Sequence, residues 1–124
     1  MHIDIQFSPF PPSPHLLFER TVVVIDILRA TSVMVHAISC GAREIIPVIT
    51  SEEAFQLAKT FPRSTTLLGG EKESNRIDGL DIENSPREYT SERVGGKRLI
   101  LTTTNGTRAF HSISSASEIL VGSF

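Results

Sequence analysis

The sequence contains one cysteine, Cys40. A single thiol excludes an internal disulfide framework and any metal site of the CxxC type. Cys40 falls in an apolar helical stretch next to Gly41, where a small buried core residue is the expected reading. A charge excess of one sign is lacking too: the net charge is −2 over 124 residues, and the basic residues are scattered. Nothing in that distribution marks a nucleic-acid surface or a basic tail. No apolar run approaches the roughly 18–20 residues that cross a bilayer. The opening MHIDIQFSPF has neither the basic start nor the apolar centre of a signal peptide. The four histidines show no metal-ligand spacing and read as structural or exposed. These absences lead to the expectation of a soluble cytoplasmic protein without nucleic-acid or membrane partners.

What is present reads as one α/β domain over residues 1–124. Apolar residues make up 40% and charged residues 21%, an ordinary globular balance. HIDIQF alternates and predicts a short strand over 2–7. The proline-rich stretch 8–14 predicts an extended connection. TVVVID, 21–26, is a β-branched run of the kind found in strands covered on both faces. RATSVMVHAISCGA, 29–42, predicts a helix stopped by Gly41. EIIPVI, 44–49, is a strand, with Pro47 placing it towards an edge. TSEEAFQLAKTF, 50–61, is a helix opened by a capping box of Thr50 and Glu53. STTLLGG, RLILT and EILVGSF predict strands, and GTRAFHSIS a helix. Residues 71–97 carry little periodicity beyond a helical turn near SPREY. This rhythm predicts a mostly parallel or mixed sheet with helices on both faces, a three-layer α/β/α arrangement.

In open α/β sheets, ligands bind beyond the carboxyl ends of the strands. Asp26 closes the first long strand, Gly69–Gly70–Glu71 close the third, and Thr102 to Thr107 close the strand RLILT. A phosphate ester suits that inventory. Backbone N–H groups at a helix start favour an oxyanion, Gly106 permits close approach, and Arg29 can donate two parallel bonds to a phosphate or sulfonate. Asp26, Glu71 and Asp81 are hard oxygen ligands of the type Mg²⁺ takes. The same residues also have a plainer reading. Thr103 and Asn105 would serve as an N-cap and an Asx turn, Asp26 as a helix cap, and the segment 78–86 as an acidic surface loop.

Three stretches in register, VVVIDILRATS, GGEKESNRIDGLDIENSP and LTTTNGTRA, resemble the 2-phosphosulfolactate phosphatases, and the similarity runs from about Thr21 to Phe124. The matched positions are Asp26, Arg29, Thr31 and Ser32; Gly70, Glu71, Gly79, Asp81, Asn84, Ser85 and Pro86; and Thr102 to Thr107 with Arg108. The resemblance implies an α/β fold and a Mg²⁺-dependent hydrolase that converts (2R)-phospho-3-sulfolactate to 3-sulfolactate and phosphate in coenzyme M biosynthesis. Family members are about twice this length, so the chain resembles roughly their N-terminal half. On this reading Asp26 and Arg29 are catalytic. Thr31, Ser32, Thr103, Thr104, Asn105, Gly106 and Thr107 bind a small phosphorylated organic acid, and Asp26, Glu71 and Asp81 hold Mg²⁺. Asp26 is either the nucleophile or a metal ligand beside an attacking water.

Two rivals stand beside it. TVVVID also resembles the first strand of the isochorismatase-type cysteine hydrolases, which would require Cys40 as nucleophile. The short chain also suits a non-catalytic anion-binding module. The uncovered final strand predicts self-association, at least a dimer.

Overall fold

The computed structural model describes residues 1–8 and 13–124. Six strands and four helices alternate along it. The strands are β1 (Thr21–Ile25), β2 (Glu44–Val48), β3 (Thr66–Gly70), β4 (Ile82–Glu83), β5 (Arg98–Thr102) and β6 (Glu118–Gly122). The helices are α1 (Ala30–Ser39), α2 (Ser51–Ala58), α3 (Ser91–Val94) and α4 (Gly106–Ser112). Every strand pair is parallel, and the strands form two sheets, one in the order β2-β5-β3-β4 and one of β1 with β6.

The larger sheet has the expected three layers. Successive side chains of a strand point to opposite faces, and β5 makes the division plain. Leu99 and Leu101 pack with Val33, Met34 and Ala37 of α1, with Tyr89 and with Val94 of α3. Ile100, between them, packs with Val48, Leu68 and Ala54 of α2 on the other face. All three are essentially buried, each contributing about 2 kcal/mol of apolar transfer. Thr50 caps α2 as expected, its hydroxyl accepting the Glu53 N–H at 3.1 Å, while Glu53 Oε2 reaches past the cap to accept the Ile49 N–H at 2.9 Å. At the amino end of the sheet, Arg98 stacks on Phe61 and donates through Nε to Glu44 Oε1 at 2.8 Å.

The smaller sheet departs from expectation. Its inner face (Val22, Val24, Ile119) meets Leu17, Ala109, Phe110 and Ile113. Its outer face is bare among the described residues: Val23, Ile25 and Leu120 are 50%, 65% and 45% exposed. The run TVVVID is therefore covered on one face, not two. Phe110 of α4 packs against both the α1 cluster and the β1–β6 cluster and joins the two sheets.

Three local expectations change. Residues 2–7 form no strand, and Ile3, Ile5 and Phe7 are exposed. Of the proline-rich connection 8–14, residues 9–12 lie outside the described residues, and Pro14–Leu16 is a 3₁₀ turn. The segment 71–97 hides a two-residue strand, β4, too short to show a period, together with a 3₁₀ turn at Pro86–Glu88 and α3. Among the described residues no helix is long and apolar enough to cross a membrane.

Candidate functional site

Parallel pairing puts the carboxyl ends of β3 and β5 side by side, and three loops meet at that edge. The first follows β1. Asp26 and Thr31 close it reciprocally: the Asp26 N–H donates to Thr31 Oγ1 at 2.8 Å, and the Thr31 N–H donates to Asp26 O at 3.0 Å. Ser32 Oγ donates to Ile27 O at 2.7 Å and lies 2.8 Å from Ser123 Oγ. The Asp26 carboxylate is half-buried and accepts the Ala30 N–H. Burial pushes its pKa above the ordinary value; the charge of Glu71 adds to that rise, while the Ala30 bond and the Arg29 charge oppose it.

The second loop follows β5. Thr103 and Thr107 lock the start of α4: the Thr107 N–H donates to Thr103 Oγ1 at 3.1 Å, the Thr103 N–H to Thr107 Oγ1 at 3.2 Å, and Thr107 Oγ1 to Thr103 O at 2.8 Å. Gly106 then meets the first loop. A Cβ at this position would stand 2.3 Å from Ala30 Cβ and 3.0 Å from Asp26 Oδ2. Only a residue without a side chain lets the two loops touch here.

The third loop follows β3. At Gly70, φ is +139° and a Cβ would fall 1.8 Å from Thr102 O, so glycine is required where β3 passes β5. Glu71 then ties this loop to the second. Its Oε1 accepts the Thr104 N–H at 2.8 Å; its Oε2 accepts Thr104 Oγ1 at 3.1 Å and the Ser74 N–H at 2.6 Å. Thr104 Oγ1 in turn accepts the Glu73 N–H at 2.7 Å.

The structure thus brings Asp26, Ala30, Glu71, Thr104 and Gly106 together. The hydroxyls of Thr31, Ser32, Thr103, Thr104 and Thr107 bond within the chain. They shape the loops, which is the plainer of the two readings of the threonine run. Asn105 is exposed at the start of α4 and makes no side-chain cap bond. Arg29 has no carboxylate ion-pair partner among the described residues, although its charge is felt at Asp26. Asp81 does not join the group. Its Oδ2 accepts the Leu68 N–H at 2.8 Å and its Oδ1 pairs with Arg63, so it braces the flank of β3.

Sequence reasoning missed Tyr89. It is completely buried, its pKa is pushed up by burial, and its hydroxyl lies 2.6 Å from where a Gly69 Cβ would stand, without a hydrogen-bond partner. The lone tyrosine in an aperiodic segment carried no signal. Asn84 Oδ1 and Thr66 Oγ1 are likewise buried without partners. Cys40 caps the far end of α1, with Sγ 3.6 Å from His36 Nε2. The ten-residue helix, about 15 Å long, separates it from Asp26, so no cysteine nucleophile serves this edge.

Among the described residues no three His, Cys, Asp or Glu side chains gather as a metal cage. Mg²⁺ does not need one: it binds commonly through one or two carboxylates and keeps several waters. The Glu71 charge raises the cost of ionising Asp26 across the loop junction, and a small hard cation would fit between these two carboxylates. Asp81, already neutralised by Arg63, does not belong to such a donor set. A small cavity of about 130 Å³ lies beside Gly70, lined also by Arg76, Glu83 and Glu88. A groove of about 760 Å³ lies between β2 and β6. Neither opens between Asp26 and Glu71.

Parallel strands that carry Asp26, Arg29 and Glu71 to one edge define an α/β protein with a charged strand edge. The comparisons give the family. The sequence model of the 2-phosphosulpholactate phosphatase family matches residues 11–124, and the chain belongs to that family. A relative from Caldanaerobacter subterraneus subsp. tengcongensis, named probable 2-phosphosulfolactate phosphatase, is 55% identical over 106 residues, 86% of this chain and 44% of the relative. Relatives of the same name from Clostridium novyi and Clostridium tetani are 47% and 45% identical over 122 residues, 98% of this chain and 52% of each. The chain therefore spans about half the length of the curated relatives it matches.

Proposed function

We propose that this chain carries the metal- and phosphate-handling strand edge of a Mg²⁺-dependent phosphatase whose substrate is 2-phosphosulfolactate or a closely related phosphate ester. The observation that carries the reading is that the Asp26 carboxylate, beside Gly106, lies within electrostatic reach of Glu71. Two carboxylates from different strand ends are held near each other, one half-buried with a raised pKa. Such an arrangement opposes folding unless a cation or ligand offsets it.

Asp26 and Glu71 would hold Mg²⁺, which when bound supplies charge neutralisation and Lewis acidity at the phosphoryl oxygens. Asp81 contributes to the shape of the neighbouring loop. Arg29 grips a phosphoryl or sulfonate oxygen pair through its guanidinium fork. Asn105, with the backbone of the 104–106 turn, contacts the ester from the opposite side. Thr31, Ser32, Thr103 and Thr107 fix the positions of these groups, and positioning with electrostatics does most of the work in phosphoryl transfer. Hydrolysis breaks the P–O ester bond, adds a water-derived oxygen to phosphorus and returns a proton to the leaving hydroxyl. The Asp26 carboxylate, tuned upward, accepts a hydrogen bond from the attacking water.

A second reading has its own observation. Neither of the two cavities described above opens between the two carboxylates, which favours a binding half that the rest of a family-length protein would complete. Phosphate release from 2-phosphosulfolactate distinguishes the two. Mg²⁺-dependent release by the chain alone favours the first reading. Release only when the other half is supplied favours the second. Full activity of Asp26→Asn in either setting removes the proposal.

A further inference from the structure

Among the described residues four strands end a sheet, β1, β6, β2 and β4, and two of them border one groove. β2 pairs only with β5, and β6 pairs only with β1. Their free edges face the same groove of about 760 Å³, whose floor is α1 and α4. Ile45 and Pro47 of β2 line one wall, Ile119 and Val121 of β6 the other, and Ile38 and Phe110 lie between. Ile38 and Val121 are 49% and 40% exposed there. The groove is thus apolar, open and bounded by two strands that each have one edge unpaired among the described residues.

The two sheets run in the same sense. β1 and the β3–β5 pair deliver Asp26, Glu71 and Thr104 to one edge, and β6 and β2 are parallel to their neighbours. A strand between β2 and β6 would therefore merge them into one continuous sheet. The space agrees with one strand. Strands about 4.8 Å apart, in a layer about 10 Å thick and rising about 3.3 Å per residue, give a five-residue segment roughly 800 Å³. The relatives also carry material that this sequence does not match, since it spans 44% to 52% of their length.

We propose that this groove seats a strand from the half of a family-length chain that this sequence does not include. The strand pairs with β6. Pro47 cannot donate a backbone hydrogen bond, so β2 contributes side-chain packing and a less regular edge. A second copy of this chain fits less well. Its β6 edge could reach the groove only with β1 attached, as a two-stranded ribbon. The inference rests on the open edges and on the length of the relatives, and it stands whether or not Asp26 is catalytic.

The test co-expresses this chain with the half of the Clostridium novyi relative that it does not match. The expected result is a 1:1 complex by light scattering, with the amides of residues 119–122 at least tenfold better protected from hydrogen exchange than in the chain alone. Val121→Lys and Ile38→Glu, both at exposed positions, should keep the circular dichroism of the parent and weaken the complex at least tenfold. Glu92→Gln on α3 should leave it unchanged. No complex, a complex indifferent to both groove variants, or a homodimer that protects 119–122 and persists when the other half is present would overturn the proposal. Phosphatase activity is not read in this experiment, so its failure is separate from failure of the catalytic reading.

Discussion

Thr104 and Glu71 hold each other twice, through the Thr104 N–H to Oε1 at 2.8 Å and the Thr104 hydroxyl to Oε2 at 3.1 Å. One carboxylate thereby binds the end of β5 to the loop after β3. Glu71→Gln keeps one acceptor oxygen and places an NH₂ against a hydroxyl or an N–H donor. We expect a loss of about 1–2 kcal/mol of stability in urea unfolding and faster amide exchange at Glu73 and Ser74. The Asp26 pKa should also fall, because the Glu71 charge is one of the causes that raise it. A carbon-detected NMR titration of the Asp26 carboxyl reads this directly, and an unchanged value would remove Glu71 from its surroundings.

Gly106 makes the tightest contact between the first and second loops. Gly106→Ala would push a methyl group to within 2.3 Å of Ala30 Cβ, which is itself completely buried. Overpacking of this kind costs about 1–3 kcal/mol, and the expected readout is a lower urea midpoint with an unchanged slope. Parent-like stability would mean that the loops separate at little cost.

Asp26 has a definite pH signature. Its pKa in the folded chain lies above the ordinary 3.8, so between that value and the raised one the native state binds more protons than the unfolded state. Its contribution to stability is therefore complete below about pH 3.8 and is lost as pH rises through the folded pKa. Asp26→Asn removes the charge while its side-chain oxygen can still accept the Ala30 N–H. The variant should be more stable than the parent at neutral pH, with the difference closing as the solution is acidified. Chemical denaturation at several pH values checks it; a variant less stable at neutral pH would contradict the raised pKa.

Thr103 and Thr107 test the plainer reading of the threonine run. Thr107→Val keeps the shape but strips the acceptor of the Thr103 N–H and the donor to Thr103 O. Loss of a cap of this type costs about 1 kcal/mol. Phosphate affinity should weaken only through the displaced loop, so Thr107→Ser, which retains the hydroxyl, should recover most of it.

Much of this was legible in the sequence, for physical reasons. The β-branched run at 22–25 and the apolar run at 99–101 announce strands by side-chain shape alone, and the spacing of Thr50 and Glu53 announces a helix start. The meeting of Asp26, Glu71 and Gly106 followed from parallel topology, which sends alternate loops to one edge. The fate of individual hydroxyls did not follow, because a threonine at a strand end can cap a helix or contact a ligand with identical local sequence. The bracing of β3 by Asp81 was hidden for a related reason. Its partner, Arg63, lies 18 residues away, and no local pattern reports such a pair. β4 contains two residues, fewer than an alternation needs. The bare outer face of β1 could not be read either, since a β-branched run looks the same whether one face is covered or both.

The central claim, that the three loops form one site for a cation and a phosphate, is tested most directly by amide NMR of the 124-residue chain titrated with Mg²⁺ and inorganic phosphate. The account predicts shifts concentrated at Asp26, Ala30, Glu71, Thr104 and Gly106, larger with both ions than with either alone, and abolished in Asp26→Asn. Shifts that are absent, or that gather in the groove between β2 and β6 and persist in Asp26→Asn, would contradict it.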